Sequence, residues 1–386
     1  MSDLALPGLA NVHSHIFQRA LRGGVQRRDP AKSDSFWTWR ETMYELAGRL
    51  RASDLEQVAR LGYAECLEAG YTAVGEFHYL HRLQGATDPD DVLESSKVLL
   101  RAAEQTGIRI NLLWTVYEAG GFGRPLETRQ APFRAGSLDH VERVLDALAS
   151  EVDGRRSSLG LAIHSVRAVP RDWFGPLAEL AAARGLVLHA HVCEQPAEIE
   201  ACREATGMTP IGLLDSEGAL SSRFTGVHAT WLDPEDVLAL ARTGSGVCVC
   251  PTTEGDLGDG FAPTEALHQA GVPLSVGSDS HAVIDPFAEL RTLEYQARGQ
   301  AGARCVLVDE KGQVGPALLK IGGMNGYAAL GLPSDGDRVI IDTEARAMRG
   351  VADPTGAVVT AGHPGLVKTV EVNGEVVVEG GRHVSC

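Results

Sequence analysis

Short apolar runs alternate with amphipathic stretches along this chain after residue 5, the order expected of strand–helix units around a parallel sheet. Strands are expected at 5–12, 71–77, 108–116, 159–164, 186–192, 224–229, 246–250 and 273–278, and eight is the number that closes a barrel. Between them the helical period predicts helices over 54–69, 89–106, 137–152, 175–184, 233–243 and 285–300. The first carries its own punctuation: Ser53 and Glu56 make a capping-box pattern, and Gly70 stops the helix. Residues 16–52 form a long connection after the first strand, with the length of a lid or binding loop. After residue 335 the pattern turns to β. Arg338 to Asp342 is followed by Val367 to Val372 and Glu375 to Glu379, the last two joined by Asn373-Gly374, the dipeptide of a type I′ hairpin. The expected architecture is an α/β protein: a (β/α)8 TIM-type catalytic barrel over 1–335 and the C-terminal part of a small β domain over 336–386.

Composition narrows the class of function. With 386 residues, 44% hydrophobic and 22% charged, the chain can bury a large core, which excludes a disordered protein. Its 35 basic and 51 acidic residues leave a net charge of -16. That argues against nucleic acid or an anionic membrane as the main partner, although local arginines can still bind an acidic small molecule. Seven cysteines lie scattered at 66, 193, 202, 248, 250, 305 and 386 without a C-x-x-C pair, as in a reduced, cytoplasmic protein. The N-terminus lacks a basic and apolar leader pattern, and no apolar run approaches the roughly 18 residues that span a bilayer.

The chemistry gathers at strand ends. His13 and His15 stand at i and i+2 on the first strand, so their imidazoles project to one side. The run His189-Ala190-His191-Val192-Cys193-Glu194, then His228, then Asp279-Ser280-His281 each follow an apolar segment, which places them at the C-terminal mouth of a barrel. Any one of these histidines alone reads as a buried structural residue, and Asp279 alone as a strand-end cap. Together His13, His15, His191 and Asp279 make a nitrogen and oxygen ligand set for zinc or another borderline divalent ion, with a position left for water. Bound Zn²⁺ lowers the pKa of such a water to about 7. Asp279 is suited to accept the water's proton, Glu194 to relay protons, and His228 to orient the water or polarise the group under attack. His189 faces away from His191 and is expected against a helix, while His78, His81 and His281 are loop residues near the site.

These motifs resemble the amidohydrolase superfamily: H-x-H on the first strand, H-x-x-E on the fifth, His on the sixth and Asp on the eighth. No lysine ends the fourth strand, where two-metal members carry a carbamylated lysine, so the resemblance implies one metal. Over nearly the whole chain it narrows to the formimidoylglutamate deiminase family. Asn11 to Ala20 is similar to that family's first metal loop and Phe36 to Tyr44 to its substrate loop. Glu76 to Tyr79 and His164 to Arg167 match as well, and Pro251 to Glu254 with Leu257 to Gly260 resemble its seventh-strand loop. The resemblance implies substrate contacts at Gln18, Arg40, Tyr79, His164 and Arg167. It also implies one Zn²⁺, a homodimer, and hydrolytic deimination of N-formimidoyl-L-glutamate to N-formyl-L-glutamate and ammonia in histidine degradation.

Physical chemistry supplies a separate check, because that substrate has two carboxylates and a guanidinium offers a planar fork to each. Arg40 in the long loop and Arg167 past a strand end are two such forks, whereas Trp37 and Trp39 are expected to pack the loop. A rival on the same metal set is a deaminase of a purine or adenosine-like compound, a neutral base that does not need two cationic forks. A rival of another class is a catalytically dead barrel serving binding or assembly, and the intact ligand set with Glu194 and His228 stands against it. Zinc deaminases with a P-C-x-x-C ligand pair are excluded, since the chain has none. Two departures from the family pattern stand out. Only twelve residues precede His13 where relatives have a sizeable β segment, so either the start lies upstream or the small β domain packs in a reduced form with exposed edges. Gly255-Asp256 replaces a small residue and Asn, which is expected to alter the loop closing over the substrate.

Overall fold

The computed structural model describes residues 3–31, 33–85 and 92–385. Its centre is an eight-stranded parallel sheet in sequential order, formed by β2 (Leu9–Ser14), β3 (Tyr71–His78), β4 (Arg109–Val116), β5 (Ser157–Ser165), β6 (Leu188–Val192), β7 (Phe224–His228), β8 (Gly246–Val249) and β9 (Leu274–Val276). Every residue of β2, β3 and β4 is buried, as parallel strands covered by helices on one side and by a filled barrel on the other require. The seam between β9 and β2 is closed just beyond their ends. The Asp279 amide donates to the His13 carbonyl (2.9 Å) and the His15 amide donates to the Asp279 carbonyl (3.0 Å).

The expected first strand is two strands. β1 (Leu4–Pro7) pairs antiparallel with β10 (Arg338–Ile341) in a second sheet, and the chain enters the barrel only at Leu9. The break is local and steric. Pro7 has no amide hydrogen to continue a ladder, and at Gly8 an added Cβ would stand 2.6–2.7 Å from Thr72, Asp337 and Tyr327. The second sheet continues through β11 (Val367–Val372), β12 (Glu375–Glu379) and β13 (Arg382–His383), all antiparallel. Asn373 and Gly374 join β11 to β12 with φ of 55° and 77°, the left-handed pair a type I′ turn needs.

Helices cover the barrel at Ala52–Ala69, Val92–Thr106, Leu138–Ala149, Phe174–Ala183, Pro234–Thr243 and Pro286–Ala301. Positions 89–91 of the expected second helix lie outside the described residues. The first helix starts before Ser53: Arg51 occupies the cap, and its amide donates to the Asp54 carboxylate (3.1 Å). The long connection 16–52 is also more ordered than a bare loop. It contains a 3₁₀ turn, Ile16–Leu21, and a helix, Phe36–Ala47, that sets its apolar side, Phe36, Met43 and Tyr44, over the barrel mouth.

Candidate active site

Strand geometry brings His13 and His15 together as their spacing requires, with Nε2 atoms 3.1 Å apart. His191, from the end of β6, places its Nε2 3.1 Å from that of His13 and 3.3 Å from that of His15. Asp279 Oδ1 lies 3.5 Å from His13 Nε2 and 3.4 Å from His15 Nε2. Close approach of the strand carrying Asp279 needs Gly277, where a Cβ would stand 2.7–2.8 Å from His13 backbone and Cβ atoms.

These separations test whether a metal fits. A tetrahedron with arms of about 2.0–2.1 Å has edges of about 3.3–3.4 Å, close to the five separations above, while His191 and Asp279 stand farther apart than an ion pair. The imidazole of His15 donates from Nδ1 to the Phe77 carbonyl (2.9 Å), which turns its Nε2 lone pair toward the shared centre. Protonation agrees. Burial, then the charge of His15, lowers the His13 pKa to about 3, and burial likewise holds His15 and His191 below the ordinary imidazole range. Burial pushes the Asp279 carboxyl up, but its contacts with His13 first, then His15 and His228, outweigh it and hold Asp279 below the usual carboxylate range. Neutral imidazoles and an ionised carboxylate are the forms that bind a divalent cation.

The proton-handling candidates sit beside this cluster. His228 Nε2 faces Glu194 Oε1 at 3.8 Å and Asp279 Oδ2 at 3.9 Å. Burial pushes the Glu194 carboxyl up to about 7, Asp279 and Glu198 adding to it while His228 and Arg167 oppose. His228 is held well above the usual range because Glu194, Glu254 and Asp279 together outweigh its burial. Backbone strain concentrates at the same strand ends: Cys193, His228, Ala229, Asp279 and His281 have φ between 47° and 70°, a region costly for side-chain-bearing residues.

All five expected substrate residues line one cavity, together with His15, His191, Glu194, His228 and Asp279. Gln18 donates from Nε2 to the Tyr79 hydroxyl (3.0 Å), which leaves its buried Oε1 without a partner among the described residues. Arg40 stacks 4.6 Å over the Trp37 ring and 5.4 Å from that of Tyr44. Burial lowers its pKa, with Tyr44 opposing and Arg167 adding to the fall, so two cations repel across the cavity. Burial and then Arg167 keep His164 neutral. Trp37 packs against Phe36 (ring centroids 5.1 Å apart), but Trp39 also lines the cavity, beyond its expected packing role.

The remaining histidines divide. His189 turns away from the site to the Ala329 carbonyl (2.9 Å) on the helix Gly326–Leu330. His78 contacts Ser95 (3.0 Å), His81 contacts the Thr115 carbonyl (2.8 Å), and neither lines the cavity. His281 meets Ser14 Oγ (2.7 Å), which donates to Glu76 (2.6 Å), and Glu76 also accepts the Ile16 amide (2.9 Å). That set supports the turn after His15 from behind. Asp256, in the departing Gly255-Asp256 pair, accepts from Gln26 (2.6 Å) and ties the connection after β2 to the helix Pro251–Leu257. Residues without an expected role also enter the site. Cys250 has its sulfur within 4.8 Å of ligand atoms of His228 and Asp279, Glu254 contacts His228, and Glu198 stands one helical turn beyond Glu194, accepting its amide (3.2 Å). A carboxylate four residues after Glu194, and another five after the β8 strand end, were the available signals.

Residues 4–377 match the profile of the Amidohydrolase family. The chain is 38% identical over 336 residues to formimidoylglutamate deiminase of Pseudomonas aeruginosa, covering 86% of this chain and 73% of that protein. It is 29% identical over 304 residues to 8-oxoguanine deaminase of the same organism, covering 78% of this chain and 65% of that protein. The crystal structure of an amidohydrolase from Brucella melitensis superposes with a TM-score of 0.91 at 35% identity, covering 98% of this chain and 86% of that one.

Proposed function

Because the chain belongs to the amidohydrolase family and is a hydrolase of carbon–nitrogen bonds, we propose that it hydrolyses N-formimidoyl-L-glutamate to N-formyl-L-glutamate and ammonia, as a step of histidine degradation. His13, His15, His191 and Asp279 hold one divalent cation, Zn²⁺ in this reading. When bound, such an ion acidifies water and polarises the bond under attack. Arg40 and Arg167 each pair with one substrate carboxylate, and Gln18, Tyr79 and His164 fix the chain between them. Asp279 would take a proton from the attacking water, Glu194 would protonate the departing nitrogen, and His228 would steady the charge that develops on the substituents of the tetrahedral carbon. We read the protein as a cytoplasmic homodimer that contacts neither nucleic acid nor membrane, with a catalytic unit over 1–335 and a small β unit from 336. Two facts are compatible with the location: the six described cysteines are free thiols, and no described helix is long and apolar enough to cross a membrane.

One observation carries the substrate reading: Arg40 and Arg167 line the same cavity as the imidazole and carboxylate cluster. A flat neutral base offers Arg40 no anion and leaves Arg167 only the influence of Glu198 and Glu194, whereas a dicarboxylate answers both guanidiniums. Parallel ammonia-release assays with N-formimidoyl-L-glutamate, 8-oxoguanine and adenosine decide the matter. Turnover of the first at a higher kcat/KM supports the proposal, and preference for a purine replaces it with the rival deaminase.

A further inference from the structure

His228 reaches the site from the last residue of β7 with φ of 70°, a conformation that does little by itself to fix where its ring points. Its ring lies nearly parallel to that of His191, 5.5 Å away, and its Nε2 faces Glu194 and Asp279. The other nitrogen, Nδ1, is 3.2 Å from Oε1 of Glu254. Glu254 is completely buried on the short helix after β8, and the same Oε1 accepts the Cys250 amide at 2.8 Å. Its second oxygen has no partner among the described residues. A fully buried carboxylate is costly unless a donor or cation answers it, and the only side chain that an ion pair joins to Glu254 among the described residues is His228.

We propose that Glu254 is a positioning residue that acts through His228, accepting a hydrogen bond from its Nδ1–H so that Nε2 is held toward the reacting atoms. The assignment of a function to that Nε2 rests on the hydrolytic reading above, but the contact itself does not. An imidazole can place its hydrogen on either nitrogen, and the partner of one nitrogen decides what the other presents. Because Glu254 is anchored from β8 and His228 from β7, the contact also ties two neighbouring strand ends together across the mouth.

Two arms test this. In the first, ¹⁵N NMR of the metal-loaded wild-type protein reads the His228 ring without any substrate. As pH is raised Nε2 is expected to lose its proton first while Nδ1 keeps its own, and loss of the Nδ1 proton first overturns the proposal whatever the true substrate is. In the second, kcat, KM and metal content are measured for Glu254→Ala, Glu254→Gln, His228→Asn and the double variant His228→Asn/Glu254→Ala. Glu254→Ala should lower kcat by about 10- to 100-fold with KM and bound metal unchanged. Glu254→Gln keeps an acceptor in place and should recover most of that loss. Adding Glu254→Ala to His228→Asn should cost nothing further, since the carboxylate then has nothing to position. An equal penalty with and without His228 would make Glu254 a structural cap of Cys250 and contradict the inference. Should Glu254→Ala not fold, the Gln variant and the wild-type spectrum carry the test.

Discussion

The two ends of the barrel both bury charge, and they do so in opposite ways. At the closed end Arg109 forks onto Asp337 through Nε (2.8 Å) and Nη2 (2.9 Å), and its remaining donors reach the Arg155 and Asp335 carbonyls (2.6 and 2.9 Å). Asp337 also accepts the Asn373 amide (2.7 Å) and the Tyr327 hydroxyl, so both of its oxygens are used by neighbours. This ion pair joins barrel and small sheet with both of its partners answered, although Asn373 Oδ1 is buried without a partner among the described residues. At the open end Gln18 Oε1, Arg40 Nε, Glu198 Oε1 and Glu254 Oε2 are buried without partners among the described residues, three imidazole nitrogens meet within 3.3 Å, and Asp279 faces two of them. Five of the seven described non-glycine residues with left-handed φ are there as well. A polar cluster built for stability satisfies its own members, whereas one built for a ligand leaves valences and strain that the ligand relieves.

That contrast can be broken from either side. The largest expected effect is chelation: removing the cation should abolish ammonia release, and added Zn²⁺ should restore it, measured on the same sample. Next, Glu194→Gln should lower kcat by about 10²- to 10⁴-fold while elemental analysis still finds one metal per chain. Asp337→Ala attacks the closed end. It strands Arg109 as an uncompensated buried charge and should cost about 3–5 kcal/mol in denaturant unfolding, with kcat per folded molecule unchanged. Arg167→Ala should reduce kcat/KM by about 10- to 100-fold, with metal content intact and a smaller loss on a substrate that carries one carboxylate as an amide. The smallest change sharpens the boundary: Gly374→Ala at φ of 77° should cost about 1 kcal/mol of stability and leave activity untouched.

Much of this was legible in the sequence because burial on both faces writes parallel strands as apolar runs, and the ligand residues sit where those runs stop. Each expected barrel strand except the first lies within two residues of its place in the fold. The first fused two strands because Leu4 to Ser14 is apolar on both sides of Pro7-Gly8, and only the long-range partners, Ile341 and Tyr71, assign the halves to different sheets. The helix Phe36–Ala47 was hidden for a related reason: half of its surface is exposed loop-like polarity, and its apolar side packs on the mouth rather than on a strand. The capping box at Ser53 gives way because Asp54 caps a start two residues earlier, a choice between neighbouring carboxylates that pattern alone leaves open. At the site, histidines and Asp279 were readable from spacing. Glu254, Glu198 and Cys250 were not, since their relevance comes from side chains of other strands turning toward them.

The central claim is that His13, His15, His191 and Asp279 share one cation on which hydrolysis depends. Titrating metal-free protein with Zn²⁺ while following ammonia release from N-formimidoyl-L-glutamate tests it directly. The account predicts that activity rises linearly, breaks at one equivalent per chain, and stays at baseline in His191→Ala. Full activity in the metal-free protein, or an unchanged break in His191→Ala, would contradict it.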